Sequence, residues 1–267
     1  MNLNERKMLE LLKRGRDHHG VVAVKAEFEA EGTRPDEFHR LLEMTQRADL
    51  KVALKIGGCE AVSDLFATKI YGIDYVIAPM VETPYALSKF IDAKNKTHGP
   101  HEERTEFLFN LETQTTLDNL AEMALVAKGN VAGIVFGRVD FTLSRGLPRG
   151  AVNDRAISDA VLQVAQVCRD TDLELVVGGS VSAEAIEALR EFRAVRLDRF
   201  ETRKIIFDGA AANSDSLRAG IANAVEFELL WLKNKRDYYQ RIADEDLQRI
   251  EMMEKRAQST PRLQAVG

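Results

Sequence analysis

Two apolar runs end on carboxylates. In Phe107-Leu108-Phe109-Asn110-Leu111-Glu112-Thr113, an extended chain puts Leu108, Asn110 and Glu112 on one face and Glu112 at the C-terminal end. Residues 132–140 finish in the same way on Asp140, which shares a face with Arg138 and Phe136. If the two runs are neighbouring strands, about 4.8 Å apart, these acids converge on one hard divalent cation such as Mg²⁺. The other reading makes each acid a helix cap, Glu112 before Thr113 and Asp140 before Phe141.

Other groups suit other chemistry. Lys25 and Lys55 lie in the first two apolar runs, and a buried lysine with a depressed pKa forms a Schiff base with a carbonyl substrate. The small residues of Val176-Val177-Gly178-Gly179-Ser180 end another run; there Gly179 and Ser180 either bind a ligand's phosphate through the backbone or form a plain turn capped by Ser180 or Ser182. Asp198, Arg199, Glu201, Thr202, Arg203 and Lys204 are too dense in charge for a buried strand without partners, and imply an anionic substrate or a salt-bridge network. His18, His19, His39, His98 and His101 have no HxxxH spacing and read as surface residues.

The elements that must position these groups alternate. Residues 21–29, 51–56, 75–79, 106–112, 132–140, 173–178 and 194–200 read as strands; 35–48, 60–70, 84–94, 115–128, 154–169 and 183–192 carry the three- and four-residue spacing of amphipathic helices. Such alternation gives a parallel sheet with helical crossovers, either a closed barrel with one strand short or irregular, or an open doubly wound sheet. No Gly-rich dinucleotide fingerprint follows the first strand, which reads Glu-Phe-Glu-Ala-Glu-Gly-Thr from Glu27. Residues 217–256 predict one long helix, or two broken near Ala243, with Leu217, Ile221, Val225, Leu229, Leu232 and Tyr239 in an approximate stripe and Trp231 beside it. That stripe packs on its own barrel or on another subunit.

Three segments resemble the successive strand-end motifs of HpcH/HpaI aldolases and citrate lyases, in their order and near their spacing. They are Ile77-Ala78-Pro79-Met80-Val81-Glu82-Thr83-Pro84, Asn110-Leu111-Glu112-Thr113, and Gly137-Arg138-Val139-Asp140-Phe141-Thr142-Leu143-Ser144-Arg145-Gly146. The resemblance covers roughly residues 21–146. It implies an α/β fold of the TIM-type (β/α)8 barrel class, to which the helical reading of 217–256 adds a long C-terminal helical extension. It also implies Glu112 and Asp140 as ligands of Mg²⁺ or Mn²⁺, Asn110 beside them, and backbone N–H groups of Val139 and Asp140 on a pyruvate-like carboxylate. Two positions depart from the pattern. Lys55 stands where the family has an arginine, and Ala30 stands where it has a histidine or aspartate, so the usual general base is absent.

The function expected is a metal-dependent carbon–carbon lyase, or aldolase, acting on a 2-oxo acid through a pyruvate-type enolate. Lys55, with Arg138, neutralises the enolate oxygen, while Glu27, Glu29 or coordinated water moves the proton. The partner is an aldehyde or a phosphorylated acceptor. An acyl-CoA lyase similar to citrate lyase or malyl-CoA lyase is one alternative, and a barrel that binds a ligand without turnover is another.

Bulk properties narrow the field. The chain's 267 residues suit one barrel, and 45% hydrophobic with 30% charged residues suits a packed core. A net charge of −5 with scattered Lys and Arg excludes a nucleic-acid footprint, and no apolar run is long enough for a membrane span. Cys59 and Cys168 lie far apart without CxxC spacing, which fits a reducing cytoplasm. The expected organisation is a barrel over 1–210, a helical segment over 211–257 that makes a homo-oligomer contact, and a frayed tail over 258–267.

Overall fold

The computed structural model describes residues 1–99 and 104–259. Eight strands close a barrel in sequence order: β1 (Val21–Glu27), β2 (Lys51–Lys55), β3 (Tyr75–Ala78), β4 (Glu106–Leu111), β5 (Gly133–Gly137), β6 (Glu174–Gly178), β7 (Arg199–Glu201) and β8 (Ile205–Asp208). The helices are α1 (Leu3–His19), α2 (Pro35–Arg47), α3 (Val62–Tyr71), α4 (Pro84–His98), α5 (Gln114–Asp118), α6 (Leu120–Ala127), α7 (Arg138–Ser144), α8 (Arg155–Thr171), α9 (Ile186–Val195) and α10 (Leu217–Ser259).

Strand alternation divides the core in two. Residues of one parity, such as Val24, Leu54, Val76, Phe109, Phe136 and Val177, point out and pack under the helices. The other parity fills the barrel: Ala23, Ala53, Tyr75, Ile77, Leu108, Val135, Val176 and Ile206 form an inner apolar plug. Above the plug, the same inward positions carry Lys25, Glu27, Lys55, Asn110, Glu112 and Glu201, so the barrel is apolar in its middle and charged at its mouth.

Seven strands run parallel, but β8 is antiparallel to both β7 and β1. The cause is local. Only Thr202-Arg203-Lys204 separates β7 from β8, far short of the dozen residues that a parallel crossover needs. Thr202 closes the turn, its N–H donating to Ile205 O at 2.9 Å and its hydroxyl accepting from Ile205 N at 3.2 Å. The reversal returns the chain to the far end of the barrel, and α10 therefore climbs back toward the mouth. It runs along α1, where Ser216 Oγ donates to His18 O and Asn223 Nδ2 donates to Leu11 O at 2.9 Å.

Several expectations need correction. An eighth strand, 205–208, went unread. The run 132–140 is extended only to Gly137, and 194–200 only from Arg199. The stretch 115–128 is two helices that meet at Asn119, while 217–256 is one unbroken helix to Ser259. Its buried stripe is Leu217, Gly220, Ile221, Ala224, Phe227 and Trp231, whereas Val225, Leu229 and Leu232 are exposed. Of the tail over 258–267, residues 260–267 lie outside the described residues, as does His101. Among the described residues no helix is long and apolar enough to cross a membrane.

Candidate active site

A cavity of about 520 Å³ opens at the C-terminal ends of the strands. Its wall includes every residue expected at the site except Arg138: Glu27, Glu29, Lys55, Asn110, Glu112, Val139, Asp140, Gly179 and Ser180. Lys25 and Glu201 join them from the inner faces of β1 and β7.

Glu112 follows β4 and is 2% exposed, so it is no helix cap; Thr113 caps α5, its hydroxyl accepting from Thr116 N at 3.2 Å. Each Glu112 oxygen is held. Met80 N donates to Oε1 at 3.1 Å and Asn110 Nδ2 to Oε2 at 2.6 Å, with Lys55 Nζ 3.5 Å away. Burial raises the pKa of Glu112; Lys55, Asn110 and the Met80 amide oppose this, and the charge of Asp140 adds to it. Asp140 sits exposed in the first turn of α7 and has no hydrogen bond or ion pair among the described residues. Asn110 keeps its own Oδ1 buried without a partner.

The lysines are clamped between acids. Lys25 Nζ lies 2.5 Å from Glu201 Oε1 and 3.1 Å from Glu27 Oε1; Lys55 Nζ lies 3.1 Å from Glu29 Oε2. Burial disfavours both ammonium groups, yet the facing carboxylates outweigh it and raise both pKa values. In Glu27 the balance runs the same way: burial resists ionisation, Lys25 overrides it, and the pKa falls. A Schiff-base lysine needs the opposite shift.

Arg138 lies behind the wall rather than in it. The helix α7 begins at this residue, so the strand alternation that joined Arg138 to Asp140 has already stopped. Its guanidinium donates to Gly178 O at 3.2 Å, Gly179 O at 2.7 Å and Asn153 Oδ1 at 3.1 Å. Burial lowers its pKa to about 10. It ties the β6 loop to α7: a Cβ on Gly179, where φ is +85°, would stand 2.7 Å from Val139 N, so only glycine allows this close approach. Ser182, not Ser180, caps the turn that follows, accepting from Glu184 N at 3.3 Å.

The charged cluster at 198–204 resolves into ion pairs at both ends of the barrel. Arg199 points to the far end, stacked 4.0 Å from the Tyr75 ring centroid and paired with Glu106 at 3.2 Å and with Glu174. Arg203 and Lys204 both pair with Glu31 near the mouth. Sequence reading missed Glu201 as a site residue; its parity with Arg199 on an inward-facing strand was the signal. The described histidines stay out of the mouth. His18 and His39 are exposed, as expected, but His19 and His98 are half-buried, His98 Nε2 lying 2.9 Å from Thr68 Oγ1 and its ring edge-on to Phe107.

Comparison with known proteins agrees with this architecture. No curated protein matches the chain. Among solved structures, an HpcH/HpaI aldolase from Desulfitobacterium hafniense DCB-2 superposes with a TM-score of 0.59 at 10% identity, over 73% of this chain and 82% of that one. An HpcH/HpaI aldolase/citrate lyase family protein from Burkholderia cenocepacia J2315 gives 0.60 at 12% identity, over 91% and 92%. At such identities the likeness is one of fold. The family model for HpcH/HpaI aldolase/citrate lyase matches residues 45–198, more than half of the chain and the span that carries Lys55, Glu112, Asp140 and Gly179. With its barrel and mouth in place, the chain belongs to the HpcH/HpaI aldolase/citrate lyase family of carbon–carbon lyases.

Proposed function

We propose that this protein is a Mg²⁺- or Mn²⁺-dependent lyase that forms or cleaves a carbon–carbon bond of a 2-oxo acid through its pyruvate-type enolate. The observation that carries the reading is buried Glu112 and exposed Asp140 lining one cavity, with the charge of Asp140 raising the pKa of Glu112 and Asp140 without a partner among the described residues. Two hard oxygen donors with excess negative charge fit such a cation, which commonly keeps waters and substrate on its remaining positions. When bound, the cation supplies positive charge beside the keto oxygen.

The chain's own residues do the rest. Lys55, held protonated by Glu112 and Glu29, presents a second positive charge to the developing oxyanion. Val139 and Asp140 offer first-turn backbone N–H groups to a carboxylate. Gly179 and Ser180 form the adjoining rim, and Arg138 positions that rim from behind. A carboxylate of the same wall, which Glu27, Glu29 and Glu201 all line, handles the proton. An aldehyde or phosphorylated acceptor enters over the rim. The two free thiols, one of them the fully buried Cys168, support a cytoplasmic setting, and the exposed distal half of α10 supports a homo-oligomer.

The test is metal titration by calorimetry with Glu112→Gln and Asp140→Asn. Each variant should lose Mg²⁺ or Mn²⁺ binding and lyase turnover while keeping the wild-type circular dichroism, and EDTA should stop the wild-type enzyme. Undiminished metal binding in both variants removes the reading.

A further inference from the structure

One layer of the barrel wall has no side chain in its middle. Gly137 pairs with Gly178 across β5 and β6. The pairs Leu111 with Phe136 and Val177 with Phe200 set Glu112 beside Gly137 and Glu201 beside Gly178, so the wall reads Glu112, Gly137, Gly178, Glu201. Both glutamates lean over the glycines. A Cβ at 137 would lie 2.9 Å from Glu112 Oε2, and one at 178 would lie 2.9 Å from Glu201 Oε1. Val135 and Val176 floor this notch with apolar surface, and Val139, Asp140 and Gly179 rim it.

Glu201 is 4% exposed. Its Oε1 is held by Lys25 at 2.5 Å, while Oε2 is buried with no hydrogen-bond partner. A buried carboxylate oxygen without a donor is unfavourable, and persists where a ligand or a proton completes it. Glu27 and Glu29 line the same cavity but from the β1 side, which β8 separates from β7, and there they pair with Lys25 and Lys55; Ala30, exposed at the rim, has no proton to give.

We propose that Glu201 is the residue that transfers the proton in the lyase reaction, an assignment that rests on the 2-oxo acid reading above. In the cleavage direction Glu201 takes the proton of the hydroxyl on C4. The O–H pair left on that oxygen forms the new carbonyl, the C3–C4 bond breaks, its pair becomes the C2–C3 double bond, and the π pair of the C2 carbonyl moves onto its oxygen to give the enolate as the aldehyde departs. Glu201 then returns the proton to C3. One proton has moved from oxygen to carbon, and nothing is oxidised or reduced. Lys25 is a positioning residue that fixes the carboxylate and stays charged. Glu112 stands on the other side of the substrate.

The experiment follows pyruvate C3 hydrogen–deuterium exchange by NMR, and cleavage of a 4-hydroxy-2-oxo acid, both with Mg²⁺ or Mn²⁺. Glu201→Gln should slow both at least about 100-fold, the scale of a lost general base. Its calorimetric affinity for Mg²⁺ and pyruvate should stay within about threefold of wild type. Glu201→Asp should restore part of the rate. If Glu201→Gln fails to fold, Gly178→Ala, whose methyl presses on Oε1, should give the same loss. An active wild type with Glu201→Gln, or Gly178→Ala in its place, within tenfold of it overturns the assignment alone. A wild type with neither exchange nor cleavage overturns the assignment and the 2-oxo acid reading together.

Discussion

At the scale of single residues, the neighbours of a side chain decide its chemistry. Lys25 and Lys55 have the burial of a Schiff-base lysine but the partners of a structural cation, since each ammonium faces two carboxylates that raise its pKa. Borohydride reduction in the presence of pyruvate should therefore leave no adduct on either lysine by mass spectrometry; a stable mass increase on one of them would replace the enolate route. Glu27 provides a test in acid. Its folded pKa is lowered, burial being outweighed by Lys25, so the unfolded chain binds this proton more tightly. The stability it contributes is full above about pH 4.5 and is lost as pH falls through the lowered folded value. Glu27→Gln should accordingly flatten the decline of the urea midpoint below pH 4.5, and a decline as steep as in wild type would assign the acid sensitivity elsewhere. Glu112 and Asn110 were legible because alternation along a strand fixes their face. Arg138 was misread because the same alternation was carried three residues past the end of β5, to Asp140.

At the scale of elements, β7 and β8 show how little chain a decisive feature can occupy. β8 has four residues, no period of its own, and a connection that any loop could match, so sequence pattern passed over it. Its exit depends on a close approach at Gly209, where a Cβ would lie 1.9 Å from Leu197 O, against backbone that has little freedom to yield. Gly209→Ala should destabilise the protein by about 3 kcal/mol or more through overpacking, whereas Gly150→Ala, with open space around it, should stay within about 0.5 kcal/mol. Urea unfolding measures both. Equal midpoints for the two variants would show that the turn relaxes freely.

Across the whole molecule, the reversed strand sends a 43-residue helix, about 64 Å long, up the barrel wall and past its charged mouth. The first half is covered by α1; Lys235 and Tyr239 then reach Glu37 on α2, and beyond them Ile242, Leu247, Ile250, Met252 and Met253 are exposed. Apolar surface of this extent is uncommon on a monomer. Light scattering should find the full chain larger than one protomer, and a truncation after Gln240 should be monomeric with its thermal midpoint kept, because the cut spares the contact with α1. A monomeric full chain would reject self-association, and an oligomer indifferent to the cut would move it elsewhere. Composition and strand–helix alternation by themselves determined a parallel α/β sheet, closed or open, and the three strand-end motifs added the family resemblance, which implied the barrel and the carboxylates at its mouth; each of these signals is written in local period and residue type. The tertiary structure alone decided that the eighth strand runs backward, that Lys25 and Lys55 are locked as cations, and that Glu201 faces Glu112 over two glycines. Those outcomes depend on which distant segments share a layer of the wall, and no local pattern encodes that.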